Sequence, residues 1–431
     1  MSELFLSNLN IIKQRWPKLA TQLDQNSIEN FSASLVTGNT QTISVNGIQL
    51  SSRHNRMAEA QLYIDQLDTN CNTVTLYGVG MGDVPSLLID INNLESIDIA
   101  PLNLSLFALL LTYTDQSEWL ADSRVNLFIP PQYQLAENYI AITPDLALAD
   151  EASSVLRDFL VLENNREFAN IQHQVNDAEM IARHTQNMIA LQRDPSAEQI
   201  VIAHYQKAAS IIATGPTLES QYKILKKQRE LPNKIRPLMI AVDTALMALE
   251  NEGIIPDIVV TIDKNITLKH LPENLSEKIS LVYFPNTDPI VINQWGGKKY
   301  NAYTNRATFD DLHSRMPKIR LYTNGSVIHP AIDLAVQLGL TEINLYGCDF
   351  SYPHNKTHAF WKDGELGPSI NYSNKHWVLD GNGNKVATDL NFRAYLRYLE
   401  LYIKSKPQVQ FYKSTKDGAK INGVAYRESV I

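Results

Sequence analysis

Glycine and aspartate residues follow several of the predicted strands in the second half of the chain. Gly215 opens a strand-to-helix turn, Asp243 and Asp263 each come just after a strand, and Gly347 precedes Asp349 after another. In a doubly wound parallel sheet, ligands bind outside the carboxyl ends of the strands. Glycine lets the backbone approach a ligand closely, and a carboxylate can accept hydrogen bonds from ribose hydroxyls. Together these motifs predict one crevice for a nucleotide.

Two of the turns open predicted helices and so offer hydrogen-bond donors to an anion. Pro216 and Thr217 follow Gly215 at the start of a helix, where free N–H groups and the helix dipole favour a phosphate. A second turn of small residues before a helix consists of Asn324, Gly325 and Ser326. An ordinary tight turn or a helix N-cap explains each motif about as well, and Asp243 also fits an N-cap.

The loop after Asp349 carries side chains suited to proton transfer. His354 and His358 flank Lys356, and a histidine within reach of an incoming hydroxyl can serve as a general base. A surface loop with scattered histidines is the alternative. We expect no metal site, because the two histidines have no obvious third ligand.

A glycine-rich loop in the first half of the chain imitates a nucleotide-binding turn. Gly78, Gly80 and Gly82 follow a buried strand, and Asp98 lies in the next one. A single glycine-rich loop is weak evidence, and Pro85 makes an awkward opening for the next helix. We interpret the loop as part of a Rossmann-like structural unit, with a methyltransferase cofactor site as a distant alternative.

Composition excludes several classes of protein. The 431 residues carry a net charge of −8, which argues against a nucleic-acid protein held by a general basic field. One basic run, residues 223–236, fits the solvated face of a helix. The alternative is a surface patch that binds an anionic donor substrate. Two cysteines leave no disulfide framework. The N-terminus lacks signal-peptide features and no apolar run is long enough to span a bilayer, so we expect a cytoplasmic protein without a membrane segment.

Apolar strands alternate with amphipathic helices after about residue 206, and this pattern predicts an α/β fold with a parallel sheet covered on both faces. We expect an N-terminal Rossmann-like α/β accessory domain at 1–145, with Asn46 and Gly47 as a hairpin turn. A helical connector follows at 146–205, then a catalytic nucleotide-sugar-binding domain at 206–385. Residues 386–431 are predicted to form a helical C-terminal part, a helix near 390–403 and a polar tail.

The order and spacing of these pieces resemble the motility accessory factor (Maf) family of flagellin glycosyltransferases. The resemblance covers most of the chain and is strongest from about residue 208 to 423. The matching pieces are residues 213–218, 253–260 with Asp263, 325–327, 347–352, 356–359, 386–389 and 413–423. The central domain of that family is similar in fold to bacterial sialyltransferases, which implies a Rossmann-like, sialyltransferase-like central domain here.

The resemblance implies transfer of a nonulosonic acid, of pseudaminic or legionaminic type, from a CMP-activated donor to Ser or Thr of flagellin, a step needed for flagellar assembly and motility. It implies no cofactor besides this donor, and leaves dependence on Mg²⁺ open. His358 would be the base, Asp349 would lie at the reacting centre, and Lys356 would stabilise the leaving CMP. The nucleotide-sugar pocket would consist of Gly215, Pro216, Thr217, Asp243, Asp263, Asn324, Gly325, Ser326 and Gly347.

Two further functions stay open at this point. A related branch of the same domain is an ATP-dependent pterin diphosphokinase, which shares the glycine-proline turn and predicts dependence on ATP and Mg²⁺. A protein acceptor would give residues 1–205 a role that a small heterocycle does not. The other alternative is a flagellin-binding factor without enzymatic activity.

Overall fold

A computed structural model of the chain describes residues 2–25, 31–68, 70–164, 178–203, 206–272, 277–359 and 376–427. Contacts divide the chain into two compact units, Met1–Arg166 and Glu167–Ile431. The first unit has a hydrophobic core around its sheets, and the second has a larger one. Part of the predicted helical connector, residues 165–177 and 204–205, lies outside the described residues.

Unit 1 combines a small antiparallel sheet with a parallel one. The antiparallel strands are β1 (Ala33–Thr37), β2 (Gln41–Val45) and β3 (Ile48–Gln49). Between β2 and β3 the φ angles of Asn46 and Gly47 are 52° and 84°. Both are positive, as a two-residue hairpin turn with matching twist requires, so the predicted hairpin is confirmed.

The parallel sheet of unit 1 has four strands, and the first of them along the chain is an interior strand of the sheet. The strands are β4 (Thr73–Tyr77), β5 (Ser96–Ala100), β6 (Val125–Leu127) and β7 (Tyr139–Ala141), in the spatial order β6-β5-β4-β7. Its helices are Glu3–Arg15, Pro17–Gln25, Arg56–Ile64, Asp83–Ile89, Leu104–Tyr113, Ser117–Ala121, Thr143–Ala147 and Ser154–Asn164.

The glycine-rich loop of unit 1 is filled by a side chain of the protein itself. The buried carboxylate of Asp145 accepts hydrogen bonds from the N–H groups of Val79 and Gly80 at 2.8 and 2.9 Å. A Cβ on Gly78 would lie 2.4 Å from the Cβ of Asp145. The donors that a phosphate would use are therefore satisfied internally, which supports the structural interpretation of this loop.

Unit 2 is built on an eight-stranded, wholly parallel sheet, which confirms the predicted α/β class. The strands are β8 (Ala208–Ile212), β9 (Leu238–Val242), β10 (Ile258–Thr261), β11 (Ser280–Tyr283), β12 (Lys299–Asn301), β15 (Glu342–Tyr346), β18 (Gln410–Lys413) and β19 (Val424–Tyr426). Their spatial order is β12-β11-β10-β9-β8-β15-β18-β19. All five residues of β9 are buried, as expected for a strand covered on both faces.

The helices of unit 2 include those predicted from the apolar pattern. They are Ala178–Arg193, Leu218–Glu230, Leu246–Asn251, Pro289–Gln294, Asp310–Arg315, Ile328–Gln337 and Leu390–Lys404. A polar relay ties one of them to the sheet. Ser210 of β8 donates to the Gln228 side-chain oxygen at 2.8 Å, and the Gln228 amide donates to Tyr346 of β15 at 2.8 Å.

Two features of unit 2 differ from the sequence-based expectation. The strand β14 (Arg320–Leu321) pairs with β13 (Tyr303–Thr304) outside the main sheet, although the alternating pattern predicts a single parallel sheet. The stretch predicted as a polar tail contains β18 and β19, which extend the main sheet beyond β15. Only two residues of β18, Phe411 and Tyr412, are aromatic or apolar, so the apolar pattern is too short to indicate a strand.

A small antiparallel sheet of unit 2 pairs β16 (Trp377–Leu379) with β17 (Lys385–Ala387).

The basic run near residues 223–236 is largely neutralised by acids on the surface. Lys226 pairs with Glu252 at 2.7 Å, and Arg229 and Arg236 both reach Asp257, at 2.8 and 3.1 Å. This arrangement fits the solvated helix face. In the described parts of the chain, no helix combines the length and hydropathy needed to cross a bilayer.

We expect Asp145→Ala to loosen the glycine-rich loop of unit 1. The substitution removes the acceptor of two buried N–H groups, each worth about 1–3 kcal/mol when left unsatisfied. Amide hydrogen exchange at residues 78–82 should accelerate, and urea unfolding should shift to lower concentration. Asp90→Ala, at an exposed position, is the matched control and should change stability by no more than about 0.5 kcal/mol. Equal behaviour of the two variants would contradict a bracing role for Asp145.

Candidate functional site

The main crevice of unit 2 lies where the winding of its sheet reverses. After β8 the chain continues to β9 on one side, whereas β15 and the strands that follow it lie on the other. Ligands bind at such switch points in open parallel sheets. A cavity of about 180 Å³ opens there. Its lining includes Ala213, Thr214, Gly215, Thr244, Ser326, Val327, Ile328, Gly347, Cys348, Asp349, Phe350, Ser351, Thr357, His358, Phe392 and Tyr395.

Two glycines allow the turns after β8 and β15 to touch. The N–H of Gly215 donates to the carbonyl of Gly347 at 2.8 Å. A Cβ on Gly215 would lie 2.4 Å from that same carbonyl oxygen. Gly347 has φ of +63°, and a Cβ on it would lie 2.4 Å from the carbonyl oxygen of Ala213. Both positions therefore require glycine for the crevice to keep its shape.

Asp349 connects the two turns through its carboxylate. One oxygen accepts from the Thr217 N–H at 2.8 Å, and the other accepts from the Thr217 hydroxyl at 2.5 Å. Thr217 is the N-cap residue of the helix Leu218–Glu230, but its own side chain does not cap the helix. The carboxylate, 132 residues away in sequence, therefore supplies negative charge to this helix N-terminus.

A second helix begins at the crevice. The helix Ile328–Gln337 has Val327 as its N-cap residue, whose side chain cannot accept a hydrogen bond. The N–H groups of Ile328 and His329 instead donate to the hydroxyl and the carbonyl of Ser326, at 3.4 and 3.2 Å. Because Ser326, Val327 and Ile328 all line the cavity, the positive dipole end of this helix lies at the crevice and favours an anion there.

An aromatic wall, formed by Phe392 and Tyr395, completes the crevice. Both residues come from the C-terminal helix and line the cavity. Gly325 has φ of +84°, and a Cβ on it would lie 2.3 Å from the Tyr395 ring. Sequence reasoning missed these two residues, although aromatic side chains three apart on a helix share a face. Such a wall can stack on a planar or ring-shaped ligand.

The loop after β15 holds His358 against the crevice. His358 is half-buried and lines the cavity, and the N–H of the next residue, Ala359, donates to the Thr214 carbonyl at 2.7 Å. Phe350 and His354 have φ of 46° and 56°. Positive φ at non-glycine residues is strained backbone that recurs at functional sites.

Lys356, in contrast, points to an acid rather than into the cavity. Its ammonium lies 2.8 Å from the Glu219 carboxylate, and 45% of its side chain is exposed. Glu219 belongs to the first turn of the helix Leu218–Glu230. A ligand anion would therefore compete with Glu219 for this cation.

Asp243 and Asp263 lie beside the cavity without lining it. Asp243 is buried and accepts from the Thr244 N–H at 2.7 Å, and Asp263 is exposed and accepts from the Asn265 N–H at 2.8 Å. Burial raises the pKa of Asp243 to about 6, and the nearby charge of Asp263 adds to the rise. Asp243 thus supports the turn that presents Thr244, which does line the cavity.

The predicted site residues therefore fall into two groups. Those that line the cavity are Gly215, Ser326, Gly347, Asp349 and His358. Those that lie in the surrounding turns are Pro216, Thr217, Asp243, Asp263, Asn324, Gly325 and Lys356. Asn324 donates to the Tyr322 hydroxyl at 2.8 Å and so orders its turn. Among the described residues, no three His, Cys, Asp or Glu side chains are grouped so that they could hold a metal ion.

Comparisons with known proteins give two likenesses. Residues 182–355 match the family model described as 6-hydroxymethylpterin diphosphokinase MptE-like, which covers less than half of the chain. The match includes the turns after β8 and β15 but ends before the aromatic wall. The solved structure of the MAf glycosyltransferase from Magnetospirillum magneticum AMB-1 is 13% identical, with a TM-score of 0.47. That alignment covers 99% of this chain and 74% of the other. Among curated proteins no match was found.

We expect His329 to make the stability of unit 2 fall on acidification. His329 is 1% exposed in the first turn of the helix Ile328–Gln337, and its Nε2–H donates to the Tyr395 carbonyl at 3.0 Å. Burial lowers the pKa of His329 to about 4. The unfolded chain gains a proton near pH 6.5 and the folded one does not, so up to about 3 kcal/mol is lost as pH falls from 6.5 to 4.

His329→Gln keeps a donor for the Tyr395 carbonyl and removes the titration. Thermal unfolding of this variant should depend less on pH between 6.5 and 4 than that of the wild type. His354→Gln, at an exposed position, is the matched control and should keep the wild-type pH dependence. An unchanged pH dependence in His329→Gln would show that His329 is not the group that titrates.

Proposed function

We propose that this protein is a glycosyltransferase that uses a nucleotide-activated sugar, with unit 2 as its catalytic part. The observation that carries the proposal is the crevice at the switch point between β8 and β15, where the positive end of a helix dipole and a half-buried histidine line one cavity. An anion-binding helix N-terminus suits the phosphate of a nucleotide donor. A histidine beside it suits removal of a proton from an attacking hydroxyl.

The donor in this proposal is a CMP-activated nonulosonic acid. Its phosphate would lie against Gly215 and the N-terminus of the helix Ile328–Gln337. The cavity is about 180 Å³ and partly open, so a nucleotide would fill it and extend toward Asp263 and Asp243. The aromatic wall would stack on the ring of the base or the sugar.

In the reaction, a serine or threonine hydroxyl of the acceptor attacks the anomeric carbon of the sugar. His358 takes the hydroxyl proton, a bond forms between the acceptor oxygen and the anomeric carbon, and the bond from that carbon to the phosphate oxygen breaks. CMP leaves as an anion, and Lys356 stabilises its charge after exchanging its partner Glu219 for the phosphate. Asp349 keeps the turn after β8 in place throughout.

Flagellin is the proposed acceptor, and the modification would take place in the cytoplasm before flagellin is exported. This part of the proposal rests on the sequence resemblance to the Maf family, whose motifs occur here in order. Four of the pieces, residues 213–218, 325–327, 347–352 and 356–359, contribute side chains or backbone to one cavity.

A diphosphokinase acting on a small heterocycle is the second candidate. The family model that matches residues 182–355 carries that activity in its description. The glycine turns and the N-terminus of the helix Ile328–Gln337 would suit ATP as well as CMP. The two candidates therefore differ in the nucleotide that they require: the kinase needs ATP with Mg²⁺, and the glycosyltransferase needs a cytidine nucleotide.

Nucleotide binding separates the candidates and the non-enzymatic alternative. Thermal shift and calorimetry should be run with CMP, CTP, ATP with Mg²⁺, and S-adenosylmethionine. We expect CMP to bind, and a ligand at a hundred times its dissociation constant adds roughly 2.7 kcal/mol of stability. Binding of ATP only with Mg²⁺ would favour the diphosphokinase. If no nucleotide binds, even with flagellin present, the flagellin-binding factor becomes the better explanation.

Gly215→Ala should weaken CMP binding by about tenfold or more, because it displaces the turn that is proposed to contact the phosphate. Its Cβ would meet the Gly347 carbonyl at 2.4 Å and the Asp349 carboxylate at 2.5 Å, so the two turns must separate. Gly253→Ala is the control: that glycine has φ of +68° and an added Cβ would meet nothing within 4 Å. The control should lose some stability and keep CMP affinity. Equal affinities in both variants would place the nucleotide elsewhere.

His358→Ala should lower the rate of sugar transfer while CMP binding persists. General-base catalysis contributes about 10²–10⁴-fold to rate, so a loss in that range is expected. The measurement is transfer of sugar from the CMP donor to flagellin, followed by mass spectrometry of the intact acceptor. His354→Gln, in the same loop, should retain the wild-type rate. A wild-type rate in His358→Ala would assign the base to another group.

A further inference from the structure

Residues 413–419, the last residue of β18 and the loop after it, pack against the turn that follows β15. The N–H of Ala419 donates to the backbone carbonyl of Asp349 at 2.7 Å. Gly418 has φ of +75°, and a Cβ there would lie 2.7 Å from a carboxylate oxygen of Asp349. The segment thus contacts both the backbone and the side chain of the residue that connects the turns after β8 and β15.

A buried lysine holds the part of this segment that touches the Asp349 carboxylate. Lys413 is 2% exposed and Asp349 is 3% exposed. The Lys413 ammonium donates to the backbone carbonyls of Asp417 and Ala419 at 3.1 and 3.3 Å. These carbonyls are neutral, so the nearby carboxylate supplies the negative charge that a buried ammonium needs.

The charges of the two residues stabilise one another. Burial raises the pKa of Asp349, and the positive charge of Lys413 opposes that rise. Burial lowers the pKa of Lys413, and the negative charge of Asp349 opposes that fall. The other titratable groups around the pair are Cys348, Asp417 and Asp380. Cys348 is neutral because burial raises the pKa of its thiol to about 12.

A second connection runs from the same segment to Gly347, in the same turn as Asp349. The Gln221 amide donates to the Ser414 hydroxyl at 2.9 Å, and its oxygen accepts from the Gly347 N–H at 2.8 Å. The C-terminal segment therefore contacts the turn after β15 at Asp349 and, through Gln221 of the helix Leu218–Glu230, also at Gly347. The matched family model ends at residue 355, well before this segment.

We propose that residues 413–419 are a positioning element of the ligand crevice, in which the buried Lys413 ammonium holds this loop against Asp349 and balances its charge, so that Asp349 can hold the Thr217 turn. The chain of contacts runs from Lys413 through the backbone of residues 417–419 to Asp349 and then to Thr217. Removal of the ammonium leaves a carboxylate buried without a cation, which is strongly unfavourable. The proposal rests on the proposed function only where CMP is used as the probe.

The test compares four proteins: the wild type, Lys413→Met, the double variant Lys413→Met with Asp349→Asn, and Lys420→Met. Lys420 is an exposed lysine of the same C-terminal stretch and serves as the matched control. Asn at 349 can still accept from the Thr217 N–H and can donate to its hydroxyl, while it carries no charge. Two quantities are measured, the dissociation constant for CMP and the melting temperature from pH 5 to 8.

We expect Lys413→Met to weaken CMP binding by about tenfold or more and the double variant to recover most of that loss. The carboxylate of Asp349 in the single variant has a further raised pKa, so its stability falls as pH rises from 5 to 8. The expected drop in melting temperature relative to the control is about 5 °C or more. The double variant and Lys420→Met should lack this drop.

Two outcomes would overturn the proposal. If the double variant does not regain affinity, Lys413 acts by packing and not through the charge of Asp349. If the melting temperature of Lys413→Met has the pH dependence of the control, Asp349 does not depend on Lys413. Should the single variant unfold at pH 8, its folding at pH 5, where Asp349 takes up a proton, supports the proposal. If the wild type does not bind CMP, the proposed function is contradicted. The melting temperatures from pH 5 to 8 still show whether Asp349 depends on Lys413.

Discussion

The hydrogen bonds between the Asp349 carboxylate and Thr217 are the contact on which the crevice of unit 2 depends. They join the turn after β15 to the turn after β8 across 132 residues of sequence. The glycines 215 and 347 can touch only because these turns are held together, and the helix Leu218–Glu230 receives a negative charge at its N-terminus. The carboxylate is buried, and the positive charge of Lys413, held on the backbone carbonyls of Asp417 and Ala419, opposes the rise in its pKa that burial causes.

Both units contain a glycine turn that is hydrogen-bonded to an aspartate, but the two turns differ in what surrounds them. In each, a glycine turn leaves the carboxyl end of an interior strand, and an aspartate distant in sequence accepts hydrogen bonds from it. In unit 1 the Asp145 carboxylate occupies the donors of the glycine-rich loop. In unit 2 Asp349 takes only the Thr217 donors, and the N-terminus of the helix Ile328–Gln337 remains directed at the cavity. The glycine turn of unit 1 is therefore occupied by a side chain of the protein, whereas the glycine turns of unit 2 border a cavity.

Strand-end glycines and acids were visible in the sequence because strands and helices have distinct apolar periods. The turn residues 215, 326 and 347 do meet in one cavity, as their positions after parallel strands indicated. Periodicity could not show that Asp243 is buried against its own turn, that Lys356 pairs with Glu219, or that Phe392 and Tyr395 close the crevice. Such contacts depend on which helix packs over which strand, and no local pattern records that choice.

The sequence by itself determined the α/β class, the hairpin at Asn46, and the edge of the sheet at which a ligand would bind. These follow from local backbone preferences and from the rule that parallel strands end at the same edge. Only the tertiary structure decided that the polar tail extends the sheet as β18 and β19 and brings Lys413 to Asp349. The physical reason is burial: a short polar strand forms when its neighbours already supply hydrogen-bond partners and a counter-charge, and both come from residues distant in sequence.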